Sequence, residues 1–392
     1  MNFDLSEEQE AVRDLAEQIF SGSVDVERVK EIEASDDRID RSLWGELAAA
    51  NLLGISLPEE HGGSGLGITE ACLVLEQQGR VVAPVPYWAT VMCGALPVAA
   101  FGTRAQQAAL LPGVIAGDVI LTAALAEAGV NNPLAPQTRA TTDGDGWTIS
   151  GFKPSVPAAH VATRVLVPAS TPEGVGVFLV DPAGAGVTLE RAVTTNREIH
   201  PHLTLDGAPG EPLGDGTVAG ERVLGALVDR ALLGLCALQL GVCESAMRQA
   251  AEYTSQRIQF GKPLSAFQGA QIRAADGYID TEAIRVTMLQ AAWKLDTGRE
   301  ASSDVLVAKW WASDAGQRVV HHVQHLHGGM GADIEYPVHR YFLWGKQIED
   351  TLGGSSATLQ RLGRTLAAER TDSAFGPTGA PVSDAMVTEA HA

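Results

Sequence analysis

The sequence predicts an α+β protein in three parts: an N-terminal helical domain over about 1–117, a middle antiparallel β domain over about 118–220, and a C-terminal four-helix bundle over about 221–370. Three observations lead there. Apolar residues recur at helical spacing through the first part, short alternating runs divided by turn clusters fill the second, and long apolar helical stretches fill the third. Helices, then strands, then helices form segregated layers, and no GxGxxG follows a strand, so a nicotinamide-binding doubly wound fold is not indicated.

Ser6 and Gln9 make a capping box ahead of a helix with Val12, Leu15, Ile19 and Phe20 on one face. Helical patterns also cover 40–52, 69–81, 84–101 and 105–116, while GISLPEEHGGSGLG at 54–67 reads as a loop. Strands are expected at 119–125, 146–150, 164–168, 176–180 and 187–191, with turns at Asp143-Gly144-Asp145-Gly146 and Pro182-Ala183-Gly184. Val223 to Tyr253 is apolar on most sides, as for a helix buried in a bundle or against another subunit. Gly261-Lys262-Pro263 ends it, and helices follow at 265–296 and 301–327. From Thr371 onward the chain lacks any period and reads as a disordered tail.

Composition narrows the function classes. The 392 residues carry a formal net charge of −20, which argues against nucleic-acid binding because phosphate neutralisation needs clustered Lys and Arg. Cys72, Cys93, Cys236 and Cys243 contain no CxxC pair, and the seven-residue spacing of the last two suits one buried helix face. The acidic N-terminus lacks a secretory signal pattern, and no uncharged apolar run reaches the roughly eighteen residues of a membrane span. A reducing, cytoplasmic location and no membrane partner are expected.

Two motifs stand out. Arg257-Ile258-Gln259-Phe260-Gly261-Lys262-Pro263-Leu264, followed by Gln268, has the Gly and Pro of a helix end and a guanidinium suited to phosphate oxygens. His327-Gly328-Gly329-Met330-Gly331 combines a backbone free of side chains with a run of histidines at 321, 322, 325 and 327. His321 and His325 have the spacing of helical metal ligands, but no carboxylate lies between them, so no metal is expected.

These motifs, in this order, resemble the acyl-CoA dehydrogenase family, and the likeness extends to 54–67 and to FGTRAQQAALLPGVIAGDVILTAALAEAG. The resemblance implies FAD as cofactor, an acyl-CoA substrate and an electron-transfer flavoprotein or similar acceptor. It implies that Arg257, Phe260, Gln268, His325, Gly328 and Gly329 bind FAD across a subunit boundary, His325 standing where the family often has Gln.

The departures fall on the other half of the family's site. Its flavin loop, Thr-Glu-Pro-Gly-Ala-Gly-Ser-Asp, is here Ala126-Glu127-Ala128-Gly129-Val130-Asn131-Asn132-Pro133. Its Lys-x-Trp-Ile-Thr, which packs on the flavin, is here Lys153-Pro154-Ser155-Val156-Pro157. The position of its catalytic glutamate holds Gly353, or Gly354 on a one-residue slip, and the base position of other relatives holds Ala231. No residue is assigned as catalytic. Asp229, Glu244, Glu349 and Asp350 are the neighbouring carboxylates. The pattern is similar to the base-lacking subunits of actinobacterial α2β2 acyl-CoA dehydrogenases acting on sterol-derived thioesters, which implies a homologous partner that carries the base. A self-sufficient dehydrogenase with another base, a flavin-dependent monooxygenase and a flavin-free structural or regulatory subunit are the alternatives.

Overall fold

The computed structural model describes residues 3–130, 132–144, 146–216 and 218–373. Asn131, Asp145 of the expected turn and the tail beyond Ser373 lie outside the described residues. The capping box forms: the Gln9 N–H donates to Ser6 Oγ at 3.2 Å, and the Ser6 N–H donates to Gln9 Oε1 at 3.1 Å. It starts α1 (Glu7–Ser23), which buries Val12, Ala16 and Phe20, while Leu15, expected on this face, is 40% exposed. A strict four-residue step places Ala16 inward, and Leu15 falls beside the contact.

The N-terminal part continues with α2 (Val26–Ala34), α3 (Arg41–Ala49), α4 (Ile68–Val81), α5 (Leu96–Phe101) and α6 (Arg104–Ile115). The pattern at 84–101 is not one α-helix, because Trp88–Ala95 is a π-helix that runs into α5. Pro97 has no N–H for the Cys93 carbonyl, so the helix widens just before it. Loop 54–67 leads to α4, whose first N–H groups donate to Asp296, at 2.6 Å from Ile68 and 3.1 Å from Thr69. A carboxylate at a helix N-terminus offsets both the dipole and the unpaired donors.

The middle strands are β1 (Leu121–Ala123), β2 (Arg139–Asp143), β3 (Gly146–Lys153), β4 (Arg164–Thr171), β5 (Gly174–Val180), β6 (Val187–Glu190) and β7 (His202–Pro212). They form one sheet ordered β1-β4-β2-β3-β7-β5, closed by a β4–β5 pairing, with β6 added on β7. The sheet is mixed rather than purely antiparallel, since β1 and β2 both pair with β4 in parallel. Each reaches β4 only after a long connection, which is what a parallel pair requires. β2 and β7 were not among the expected strands; β7 carries Gly207 and Pro209, both of low strand propensity, yet it pairs with β3 through a register shift between Ile149 and Gly151.

The C-terminal part begins with α7 (Gly220–Gln256) and a two-residue hairpin, β8 (Ile258–Gln259) with β9 (Lys262–Pro263). Then come α8 (Gln268–Asp296), α9 (Ser302–His327), α10 (Val338–Asp350) and α11 (Ser355–Ser373). α7 packs against α4, α8, α9, α10 and β5, which explains its apolar surface on most sides. It is long and apolar enough to cross a membrane, but 78% of that window is buried inside the protein. Cys236 and Cys243 share its buried core, as their spacing predicts.

α4 and α7 cross backbone to backbone. A Cβ at Gly241 would lie 1.9 Å from the Glu76 carbonyl oxygen, and one at Gly79 would lie 2.2 Å from that of Leu238. Ion pairs add a lock between domains: Glu33 of α2 binds Arg340 of α10 at 2.9 Å and Arg197 of the β domain at 2.7 Å. Gly241→Ala is expected to destabilise the chain by roughly 1–3 kcal/mol, because neither backbone can yield without moving a domain. Urea unfolding followed by circular dichroism measures it.

Candidate functional site

The end of α7 sets up an outward-facing surface. The hairpin after Arg257 turns on Phe260 and Gly261, at φ +52° and +81°, so both central residues are left-handed, as in a type I′ turn. The turn suits Gly261 and strains Phe260, whose ring is 92% exposed. The Leu264 N–H closes the loop on the Arg257 carbonyl at 2.9 Å. Phe267 supports the tip: its ring meets Phe260 edge-on at 6.2 Å, and the Lys262 ammonium lies 4.3 Å above it. Gln268 follows at once as the exposed first residue of α8.

The second motif arrives at the same end of the bundle through an aromatic stack. His327, the buried last residue of α9, lies 4.6 Å from the ring of Tyr253 on α7 and 5.5 Å from that of Tyr336. Its Nδ1 is 2.8 Å from the Val323 carbonyl oxygen, and burial pushes the imidazole below its usual pKa. Gly328, at φ +58°, and Gly329 follow, and no atom lies within 4 Å of where a Cβ would project from either. Arg257, Phe260, Gln268, His325, Gly328 and Gly329 are all exposed at this end. Sequence reading missed the Tyr253–His327–Tyr336 stack, because its three members belong to separate segments. Among the described residues, no group of three or more metal-ligating side chains comes together.

The other positions of interest face inward, where the three domains meet. Glu127 and Lys153 form a buried pair at 2.5 Å, and Glu127 also accepts from the backbone N–H groups of Gln137 and Thr138. Burial opposes the charge on Glu127, but Lys153 and those donors prevail and hold its carboxyl below the usual range. The loop so pinned faces Asp350, Leu352, Gly353 and Gly354 across a cavity of about 270 Å³. Pro157 and Ala158 line a second cavity with Trp88, Leu235, Trp344 and Ile348, of only about 50 Å³. That is room for a water or two, not for a fused ring system. Trp88 also covers the other base position, its indole N–H donating to the Ala231 carbonyl at 2.8 Å.

The neighbouring carboxylates are mostly engaged elsewhere. Asp229 accepts from Ser302 at 2.7 Å, and burial raises its pKa. Glu244 is held by Arg80 and Arg285, and Glu349 by Lys346. Asp350, at the exposed end of α10, lines the larger cavity. Glu349 and Asp350 close the C-terminal end of α10 rather than opening a helix, an end where carboxylates oppose the dipole.

Lys309 compensates for that arrangement, and no sequence signal marked it. It is fully buried on α9, and its ammonium donates to Ile348 O at 2.9 Å, Glu349 O at 3.0 Å and Ser313 Oγ at 2.9 Å. It thereby anchors the turn into Leu352 and Gly353, at φ +60° and +105°. Burial lowers its pKa from 10.5 to about 8. Between those values the unfolded chain binds more protons than the folded one, so this group makes stability rise with pH across that window. Lys309→Met is expected to lose that slope, so that the wild-type advantage in urea grows from pH 8 to pH 10.

The helical domains flanking a small β barrel, with a strained aromatic tip and an open Gly-Gly backbone at one end, have the arrangement that the resemblance to acyl-CoA dehydrogenases implies. Comparison with known proteins agrees. Residues 6–118 match the N-terminal domain model of acyl-CoA dehydrogenases, and 220–366 match the C-terminal domain model. The chain belongs to the acyl-CoA dehydrogenase family, whose members are FAD-dependent oxidoreductases. It is 37% identical to the acyl-CoA dehydrogenase FadE27 of Mycobacterium tuberculosis, over 94% of this chain and 99% of that one. Among solved structures, a variant of the Tcur3481–Tcur3483 steroid acyl-CoA dehydrogenase is 48% identical, with a TM-score of 0.89 over 93% of this chain and 99% of that one. The ChsE4–ChsE5 complex from Mycobacterium tuberculosis is 37% identical, with a TM-score of 0.88 over 94% and 99%.

Proposed function

We propose that this chain is the subunit without a catalytic base in a mixed acyl-CoA dehydrogenase, and that it completes the FAD site of a homologous partner. The observation that carries the reading is Gly353. The position of the family's glutamate has no side chain, and its φ of +105° is one an L-residue rarely adopts. Ala231, the other base position, is sealed beneath Trp88. Pro157 and Ala158, in the segment that packs on the flavin in the family, line a cavity of only about 50 Å³, too narrow for an isoalloxazine there; the roomier cavity of about 270 Å³ lies between Glu127 and Gly353. The exposed end of the bundle suits the rest of the cofactor: a guanidinium for phosphate oxygens, an unpacked aromatic ring, and two glycines whose backbone a ligand can approach.

In this reading Arg257 pairs with pyrophosphate oxygens, Phe260 packs on the nucleotide, and Gln268, His325, Gly328 and Gly329 offer further polar contacts. FAD, when bound, supplies the acceptor for the substrate's β-hydride. The carboxylate that removes the α-proton stands on the partner. The likeness to the Tcur3481–Tcur3483 steroid acyl-CoA dehydrogenase and to the ChsE4–ChsE5 complex favours a heteromer acting on a steroid-type acyl-CoA thioester. An electron-transfer flavoprotein is the expected acceptor.

Flavin content tests the division of labour. Purified alone, the chain is expected to carry little flavin; co-purified with its partner, one FAD for each pair of chains. A fully loaded homomer would overturn the proposal. Arg257→Ala in the pair is expected to weaken FAD binding about 10- to 100-fold, the worth of one charge-assisted contact. Phe260→Asn relieves the turn and is expected to raise the stability of the chain alone by up to about 1 kcal/mol while flavin retention by the pair falls. Gly353→Glu is expected to cost roughly 1–3 kcal/mol and to yield no flavin bleaching by acyl-CoA in the chain alone.

A further inference from the structure

The loop that carries the two glycines is pinned at its base by one ring. It leaves α9 after His327 and returns at Tyr336, just ahead of α10. His327 touches both sides of the tie: it stacks on Tyr253 at 4.6 Å and 23°, and it meets Tyr336 at 5.5 Å. The Arg257 N–H in turn donates to the Tyr253 carbonyl at 2.9 Å. Arg257 and Gly328 are therefore linked through the last turn of α7 and a single stacked ring. Gln324 adds one bond beneath the loop, its amide donating to the Gly331 carbonyl at 2.6 Å. Gly328, Gly329, Met330 and Ile334 face outward.

A phenylalanine would stack as well, so the imidazole needs its own reason. His327 Nδ1 lies 2.8 Å from the Val323 carbonyl, which only accepts, so Nδ1 carries the proton of a neutral ring. Nε2 is buried and has no hydrogen-bond partner among the described residues. A second proton would create an N–H there with no acceptor, and an orphaned buried donor is costly. The titratable groups packed on the ring are Tyr253 of α7 and Tyr336 of the loop, with Glu252 acting on Tyr336. Among the described residues no carboxylate supports an imidazolium here, and burial holds the group below its usual 6.5. When the loop opens, the ring meets water and recovers the ordinary value. Acid therefore favours the open loop, from about pH 6.5 downward.

We propose that His327 is the positioning residue of the shared cofactor site: its neutral ring holds the Gly328–Gly329 backbone in register with Arg257, and its protonation releases that backbone. The proposal rests on the shared-site reading for the ligand. His327 stays beneath the loop and acts through the glycines rather than on FAD itself. The consequence is a half-site that holds flavin near neutrality and gives it up in mild acid. Arg257 contributes no such dependence, since its guanidinium stays charged throughout.

Flavin retention by the co-purified pair, followed by fluorescence between about pH 5 and pH 8, tests it. His327→Ala is expected to weaken FAD binding about tenfold at the upper end, the worth of two ring contacts. His327→Phe is expected to recover most of that loss and to hold flavin equally across the range, where the wild type releases it in acid. His325 is the same in all three proteins, so its titration cancels. Hydrogen exchange of the chain alone gives a reading free of flavin: the amides of 328–335 are expected to exchange faster in His327→Ala than in the wild type or His327→Phe. Unchanged flavin affinity or unchanged exchange in His327→Ala, while Arg257→Ala loses flavin, would overturn the role of His327 and leave the shared site standing. An equal acid release from His327→Phe and the wild type would overturn the proton dependence. A wild-type pair that holds no flavin would overturn the shared site and this role with it.

Discussion

The contact on which the architecture depends is the crossing of α4 and α7 at Gly79 and Gly241. Two helices from different domains touch through their backbones there, with no room for a methyl group on either. That close approach goes with the Trp88 bond to the Ala231 carbonyl and leaves α7 packed against α4, α8, α9, α10 and β5. The small β barrel then docks on α7 through β5, and the Glu33–Arg340–Arg197 cluster fixes its angle to the helical parts. A buried cluster of this kind adds little net stability, since desolvation offsets most of the attraction, but it sets a relative orientation.

The molecule treats its two ends in opposite ways. Inside, the Glu127–Lys153 pair pins the loop, Pro157 and Trp88 narrow the junction, and Lys309 holds the turn that carries Gly353, leaving about 270 Å³ between that loop and Gly353. Outside, the hairpin holds Phe260 in strain and in water, where the chain alone gains nothing from it. Strain and exposed aromatic surface together are unfavourable in a monomer, and they persist where a ligand or partner uses them.

Much of the fold was legible because the periodic signals were strong. The capping box at Ser6 and Gln9, the apolar length of α7 and the turn at Gly261 each follow from local chemistry. The errors have physical causes of the same scale. Leu15 and Ala16 differ by one position in a pattern that tolerates either, Pro97 converts an α-helix into a π-helix upstream, and Gly207 and Pro209 disguise a strand whose partners supply the stability that propensity lacks. The parallel placement of β4 beside β1 and β2 depends on long connections that carry no periodic mark.

The sequence by itself determined the family and the proposed half-site. Gly353, Ala231, Phe260 and the glycines after His327 are identities, and an absent side chain needs no coordinates to be noticed. Only the tertiary structure decided that Pro157, Ala158 and Trp88 leave just about 50 Å³ at the inner junction, that Tyr253, His327 and Tyr336 tie two distant motifs into one surface, and that Lys309 neutralises the end of α10. Those facts arise between segments far apart in the chain. Contacts of that kind are set by how helices and strands pack, and local composition contains no term for them.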